Sequence, residues 1–183
     1  MEAQVSQDFI SMTTRLIQTP HVLDIGCGFL NCHYLVPNAL HCDVQKAVFV
    51  DVVCDIQNLP FRDNSFESVY AFHVLEHVDN PVQALRELVR VAKKLVEVEV
   101  PHRFSSNAKQ DSKNPSDRHR WSFRTNWFHK TLRNIRHHIK VRYYFPRLLY
   151  IHVWIYPERS EVIREEDEKY GIIPWMELAR ASV

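Results

Sequence analysis

Residues 22–28 read Val-Leu-Asp-Ile-Gly-Cys-Gly, an apolar run that stops at an acid and two closely spaced glycines. A parallel strand ends this way when the backbone turn after it must approach a ligand closely. The chain has only three glycines in 183 residues, and Gly26 and Gly28 are two of them. Asp43 and Asp55 close the next two apolar runs. Acids at successive strand ends suit a nucleoside lying across the tips of a parallel sheet. Asp43 is placed for both ribose hydroxyls and Asp55 for an exocyclic amine of the base, with Ile56 or Leu59 against its ring. His73, His102 and His119 are the side chains fitted to take a proton near neutral pH. His73 also stands at i, i+3, i+4 spacing with Glu76 and His77, which one helical turn would bring to one face.

A sheet must position these groups, and the apolar pattern predicts one. Strand-like runs rich in Val, Ile or Cys fall at 21–25, 39–43, 48–54, 67–72 and 95–100. Two more, 138–145 and 148–156, flank Pro146. A helix is expected over 81–93, with Pro81 in its first turn and Val82, Leu85, Leu88, Val89 and Ala92 at helical spacing. Others are expected near the N-terminus, through Phe9, Ile10, Met12, Leu16 and Ile17 up to Pro20, and over 125–135. Strands alternating with helices and ending in a two-strand run argue for an open, mostly parallel α/β sheet with helices on both faces.

Length and composition fit one ordinary globular domain spanning 1–183. No apolar stretch approaches the roughly 20 residues of a membrane span, and the first residues do not read as a secretory signal. Cys27, Cys32, Cys42 and Cys54 show no CxxC spacing, so a structural zinc or redox pair is not expected. Reduced thiols in a cytoplasmic protein are the expectation. The net charge of +1 conceals a strong asymmetry, since residues 102–147 hold 12 Lys/Arg against 2 Asp/Glu. In that block Arg118, Arg120, Arg124, Lys130 and Arg133 interleave with Trp121, Phe123, Trp127 and Phe128.

The run at 22–28, then Asp43, then Asp55-Ile-Gln-Asn-Leu-Pro-Phe-Arg-Asp-Asn-Ser-Phe66, then Val74-Leu-Glu-His-Val78 and Leu85-Arg-Glu-Leu88 resembles a class I S-adenosylmethionine-dependent methyltransferase. More narrowly it is similar to the small type 11 methyltransferase domain, over about residues 20–101. The resemblance implies a Rossmann-like, three-layer fold with a seven-stranded sheet whose last strand is antiparallel. It implies S-adenosylmethionine contacts at Gly26, Gly28, Asp43, Asp55, Ile56 and Phe72, with Asp24 supporting the glycine turn. Residues 1–20 then form an N-terminal helix, 21–101 the cofactor half, 102–159 a substrate-side loop, helix and terminal hairpin, and 160–183 an acidic tail. Three features depart from the family. Phe29-Leu30 follows Gly28 where a third glycine is usual, the first crossover is short, and Lys93-Lys94 replace the glycines before the fifth strand.

Methyl transfer needs an aligned acceptor and, for a hydroxyl or amine, a proton acceptor. His73, His102 and His119 are the candidates, and Arg118, Arg120 and Trp121 are candidate substrate contacts. The expected activity is transfer to O or N of an unidentified acceptor, a small anionic molecule or glycan precursor. RNA gripped by the basic aromatic block is the alternative, since cations beside stacking rings serve single strands. A catalytically silent fold acting as a partner subunit is a further rival. No metal is expected, the Glu76-His77 pair reading as an ordering element of the loop after the fourth strand. The sequence leaves the oligomeric state open.

Overall fold

The computed structural model describes residues 21–28, 38–108, 118–144 and 147–157. Nine elements run in order: β1 (Val22–Ile25), β2 (Leu40–Asp43), β3 (Val52–Val53), β4 (Phe66–Phe72), α1 (Pro81–Val91), β5 (Ala92–Pro101), α2 (Thr125–Thr131), β6 (Arg136–Tyr144) and β7 (Leu148–Tyr156). The expected N-terminal helix over 1–20, the short first crossover and the acidic tail from 160 lie outside the described residues.

The strands form one seven-stranded sheet in the order β3-β2-β1-β4-β5-β7-β6. Pairing is parallel from β3 through to β5, and β7 is antiparallel to both its neighbours, β5 and β6. This is the expected Rossmann-like sheet with its closing hairpin. The order reverses between β1 and β4, and an open α/β sheet presents its crevice at such a switch point, outside the carboxyl ends of the strands.

Burial explains the apolar runs. Leu23, Val69, Ala71, Val96, Val98, Ile151 and Val153 are fully buried, and they join Ala84, Leu85, Leu88 and Val91 of α1 in one core. The start of α1 matches its sequence: Asn80 caps it by accepting from Gln83 N–H at 3.1 Å, and Pro81 occupies the first turn. Its end does not. The chain leaves Val91 directly into β5 at Ala92, so the helix stops two residues short of 93 and the strand begins three before 95. The register slips between the Phe66–Ala92 and Ser68–Leu95 pairs, where β5 carries one residue more than β4. Such a bulge absorbs an extra residue without a loop. Lys93 and Lys94 sit in it, both paired with Glu67 at 3.3 and 2.6 Å. Here two cations clamp a bulge where the family usually has glycines.

Other boundaries shift as well. The run at 48–54 yields only Val52–Val53, because this edge strand has a single partner and Val48 faces solvent. Helix α2 ends at Thr131 rather than 135, and β6 spans Arg136–Tyr144 rather than 138–145. Phe123 and Phe128 are buried in the core and Trp127 packs against it. Most rings of the basic block therefore anchor α2 to the sheet.

Candidate active site

β1 ends in a left-handed turn, with φ of 75° at Gly26 and 61° at Gly28. The turn hangs on β2, since Gly26 N–H donates to the Cys42 carbonyl at 2.8 Å. A Cβ on Gly26 would lie 2.2 Å from Cγ2 of Val74, so the loop after β4 allows no side chain there. Among the described residues, a Cβ on Gly28 would meet nothing nearer than 4.0 Å. Asp24 is 5% exposed and its carboxylate lies 3.0 Å from Nδ1 of buried His41. It faces β2 through that contact and does not line the cavity.

A cavity of about 670 Å³ opens over these strand ends. Gly26, Gly28, Asp43, Asp55, Ile56, His73, His119 and Arg120 line it. Six of these come from four parallel strand ends and the loops they feed; His119 and Arg120 show that the segment after β5 reaches the same opening. Asp43 accepts from Gly28 N–H and Gln45 N–H, each at 2.8 Å and on different oxygens. One lone pair per oxygen remains for a further donor. Asp55 accepts from Gln57 N–H at 2.8 Å and stays exposed.

Sequence reasoning missed several lining residues, four of which stand out. Val44, 66% exposed on the cavity wall beside Asp43, offers an apolar surface to a base. Its position directly after the strand-end acid was the available signal. Gln57, Asn107 and Tyr150 also line the wall, and Asn107 donates to the Tyr150 hydroxyl at 3.1 Å. Tyr150 comes from the antiparallel strand, which spacing alone does not relate to Gly26.

Phe72, His102, Arg118 and Trp121 do not line the cavity. The Phe72 ring lies against Tyr70 and His152, both at 5.8 Å between centroids. His102 accepts from Phe104 N–H and bridges Phe123 beyond the end of β5. The segment 118–121 straps the turn after β4. Arg120 N–H donates to the Glu76 carbonyl at 2.7 Å, the Trp121 indole to the Val78 carbonyl at 2.8 Å, and the Arg120 guanidinium pairs with Asp79. Trp121 thus acts as a fastener for the strap.

The three candidate histidines are chemically distinct. His73 adopts φ 57° at the end of β4, a region costly for a side chain. Its ring lies 3.4 Å from Glu76 Oε1 and 3.3 Å from Glu99 Oε1. Burial alone would lower its pKa, but the two carboxylates outweigh that and lift it to about 9. His73 therefore stands protonated at neutral pH, which removes it as a proton acceptor. His119 is the opposite: burial holds it below the ordinary histidine range, and Nδ1 is buried with no hydrogen-bond partner among the described residues. His102 is also pushed down, by burial and by Arg124 and Arg103, but away from the cavity. Nor do residues 73–77 form the helical face expected for His73, Glu76 and His77; a single turn closes at His77 N–H to the Val74 carbonyl, 3.0 Å.

Residues 23–97 match the methyltransferase domain family. That match covers 75 of the chain's 183 residues. The chain is 37% identical over 81 residues to an uncharacterized protein of Methanocaldococcus jannaschii, covering 39% of this chain and 36% of that one. It is 30% identical over 88 residues to the probable tRNA methyltransferase 9B of Bos taurus, covering 41% and 19%. The match thus spans about a third or less of these relatives' length. A solved SAM-dependent methyltransferase of Thermotoga maritima, described as a possible histamine N-methyltransferase, superposes with a TM-score of 0.58 at 18% identity, over 74% of this chain and 81% of that one. S-adenosylmethionine is the cofactor that goes with a methyltransferase domain, and the residues here fit it. Gly28 leaves open a cradle that any Cβ would enter, Asp43 and Asp55 keep acceptor capacity at the cavity wall, and Val44 and Ile56 present apolar surface between them.

Proposed function

We propose that this chain is an S-adenosylmethionine-dependent methyltransferase that moves a methyl group to O or N of a small anionic acceptor or glycan precursor. One observation carries the reading: Gly26, Asp43 and Asp55, from three different strand ends, line one cavity at the point where strand order reverses. When bound, the cofactor supplies a sulfonium-activated methyl; the C–S bond breaks, a C–O or C–N bond forms, and the acceptor's proton departs. The chain's own part is to bind, align and receive that proton. Asp43 would accept from the ribose hydroxyls and Asp55 from the adenine amine, with Val44 and Ile56 against the ring. Opposite them His119 offers a neutral lone pair to the acceptor, while protonated His73 supplies positive charge beside it. Arg120, already neutralised by Asp79, could exchange that partner for an acidic group on the acceptor.

Calorimetry with S-adenosylhomocysteine tests the cofactor half directly. Saturable heat supports it, and no heat at high protein concentration favours the rival of a silent partner fold. His119→Ala should keep that heat while losing labelled-methyl incorporation into cell-extract products. Equal incorporation would remove His119 from the reaction.

A second reading, RNA as acceptor, has one specific support. Phe104 is 68% exposed, with the guanidinium carbons of Arg103 and Arg124 at 5.1 and 5.9 Å from its ring centre, an arrangement on which a base can stack. The tRNA methyltransferase name of the bovine relative points the same way. Charge reversal at Arg103 and Arg124 should then weaken RNA binding and flatten its salt dependence. Unchanged affinity and slope would discard RNA.

A further inference from the structure

Glu76 is 1% exposed, yet neither of its carboxylate oxygens has a hydrogen-bond partner among the described residues. A buried carboxylate in that condition is costly, because desolvation is not repaid by donors. His73 answers part of the charge, at 3.4 Å from Oε1 only. Across the cavity wall stand two imidazoles. His77 donates Nδ1–H to the Arg118 carbonyl at 3.3 Å, which leaves Nε2 with its lone pair. His119 bonds through its ring to the Ala108 backbone, and its Nδ1 is buried and unpartnered. One ligand atom from each of Glu76, His77 and His119 lies within 4.8 Å of the others, and all three residues line the cavity.

Two histidines, each tied at one ring nitrogen to a backbone carbonyl and open at the other, are how protein imidazoles are prepared as metal ligands. A carboxylate completes a two-nitrogen, one-oxygen set with open positions facing the cavity. We infer that Glu76, His77 and His119 form a site for a divalent transition metal such as zinc. Imidazole donors favour such ions over magnesium or calcium, which prefer oxygen. Ligand bonds of about 2.1 Å in a tetrahedral site put neighbouring donors about 3.4 Å apart, so side-chain movement of roughly 1 Å or more would close the set. The sequence pointed elsewhere, to His73 with Glu76 and His77 and to no metal. The fold replaces His73 with His119, which the 118–121 strap delivers from 42 residues away. The consequence for methyl transfer rests on the proposed function: with a cation here the His119 lone pair goes to the metal, which then takes over from His119 the task of promoting proton loss from an acceptor hydroxyl.

The test uses the full chain with the metal ions alone. Cobalt(II) titration read by visible absorption, and zinc(II) titration by calorimetry, should each show one equivalent bound. Glu76→Gln and His119→Ala should each weaken binding at least ten-fold. His129→Ala should leave it unchanged, since His129 pairs with His137 at 2.9 Å elsewhere in the structure, the other meeting of two imidazoles among the described residues. Circular dichroism and denaturant unfolding of each variant report whether it is folded. If Glu76→Gln does not fold, His119→Ala and His77→Ala decide. No stoichiometric binding, binding unaffected by His119→Ala, or binding lost with His129→Ala would each overturn the site. Metal binding without S-adenosylhomocysteine heat would instead overturn the methyltransferase reading and leave the metal site standing.

Discussion

Gly26 and Gly28 look equivalent in the sequence but do different work in the structure. Both have positive φ, so any side chain there meets a penalty of about 1–2 kcal/mol. Only Gly26 also faces a stiff β-branched neighbour, with Val74 Cγ2 at 2.2 Å from where its Cβ would be. Gly26→Ala should therefore cost about 3 kcal/mol in denaturant unfolding, combining strain and overpacking, whereas Gly28→Ala should cost about 1 kcal/mol. Gly28→Ala should instead act on the ligand, because its methyl enters the cavity. S-adenosylhomocysteine affinity in that variant should fall at least ten-fold at near-native stability. Asp43→Ala should do the same by removing acceptors for two hydroxyls, and it also frees the Gly28 and Gln45 N–H groups. Equal stability for the two glycine variants would show that the Val74 contact does not restrain the turn.

At the level of elements, α1 holds the cofactor-side loop through one side chain. Arg90 donates to both Glu87 oxygens at 2.7 Å, to the Phe61 carbonyl and Asp63 at 2.8 Å, and to the Leu59 carbonyl at 3.1 Å. Glu87 accepts in turn from Leu59 N–H at 2.9 Å. That network fixes residues 59–63, directly after the Asp55-Ile56 wall. Arg90→Ala should cost about 2–3 kcal/mol by leaving carbonyls and a carboxylate without donors. Arg90→Lys should recover little, since a point charge cannot replace a planar fork; full recovery by lysine would mean that charge alone suffices. The strands were legible because buried parallel strands show as continuous Val, Ile and Leu runs. Element ends were less so. The β5 bulge depends on register between two strands, and the two-residue β3 depends on its having one neighbour. Of the site, the residues local to strand ends were readable: Gly26, Gly28, Asp43, Asp55 and Ile56. Tyr150 and the contrast between protonated His73 and neutral His119 were not, because burial and facing carboxylates belong to the folded chain.

The whole molecule joins two unlike halves, a parallel sheet and an antiparallel hairpin, along the β5–β7 pairing. His152 of β7 sits on that seam, buried, paired with Glu97 and, at 3.0 Å, with Glu99 of β5. Phe72 flanks it from β4, Trp154 stacks on it within β7, and Lys140 of β6 stands opposite in register. Burial would raise the Glu99 carboxyl, but His152 and His73 outweigh that and hold it down to about 2. Burial would lower His152, yet Glu97 and Glu99 raise it. The two shifts act on stability from opposite sides. The depressed Glu99 contributes fully above its ordinary value near 4.5, and the contribution is lost as pH falls through about 2. The raised His152 contributes fully below its ordinary value near 6.5 and is lost as pH climbs through its elevated one. The seam is strongest between those limits, from about pH 4.5 to 6.5. His152→Gln should lower stability in that window by an amount on the order of 1–2 kcal/mol and less as pH climbs through the raised value at which His152 loses its charge. Denaturant midpoints of wild type and variant, compared at pH 5.5 and pH 9, read the difference directly. A gap as large at pH 9 as at pH 5.5 would show that the imidazole holds the seam by packing on Trp154 and Phe72, with its charge making no contribution.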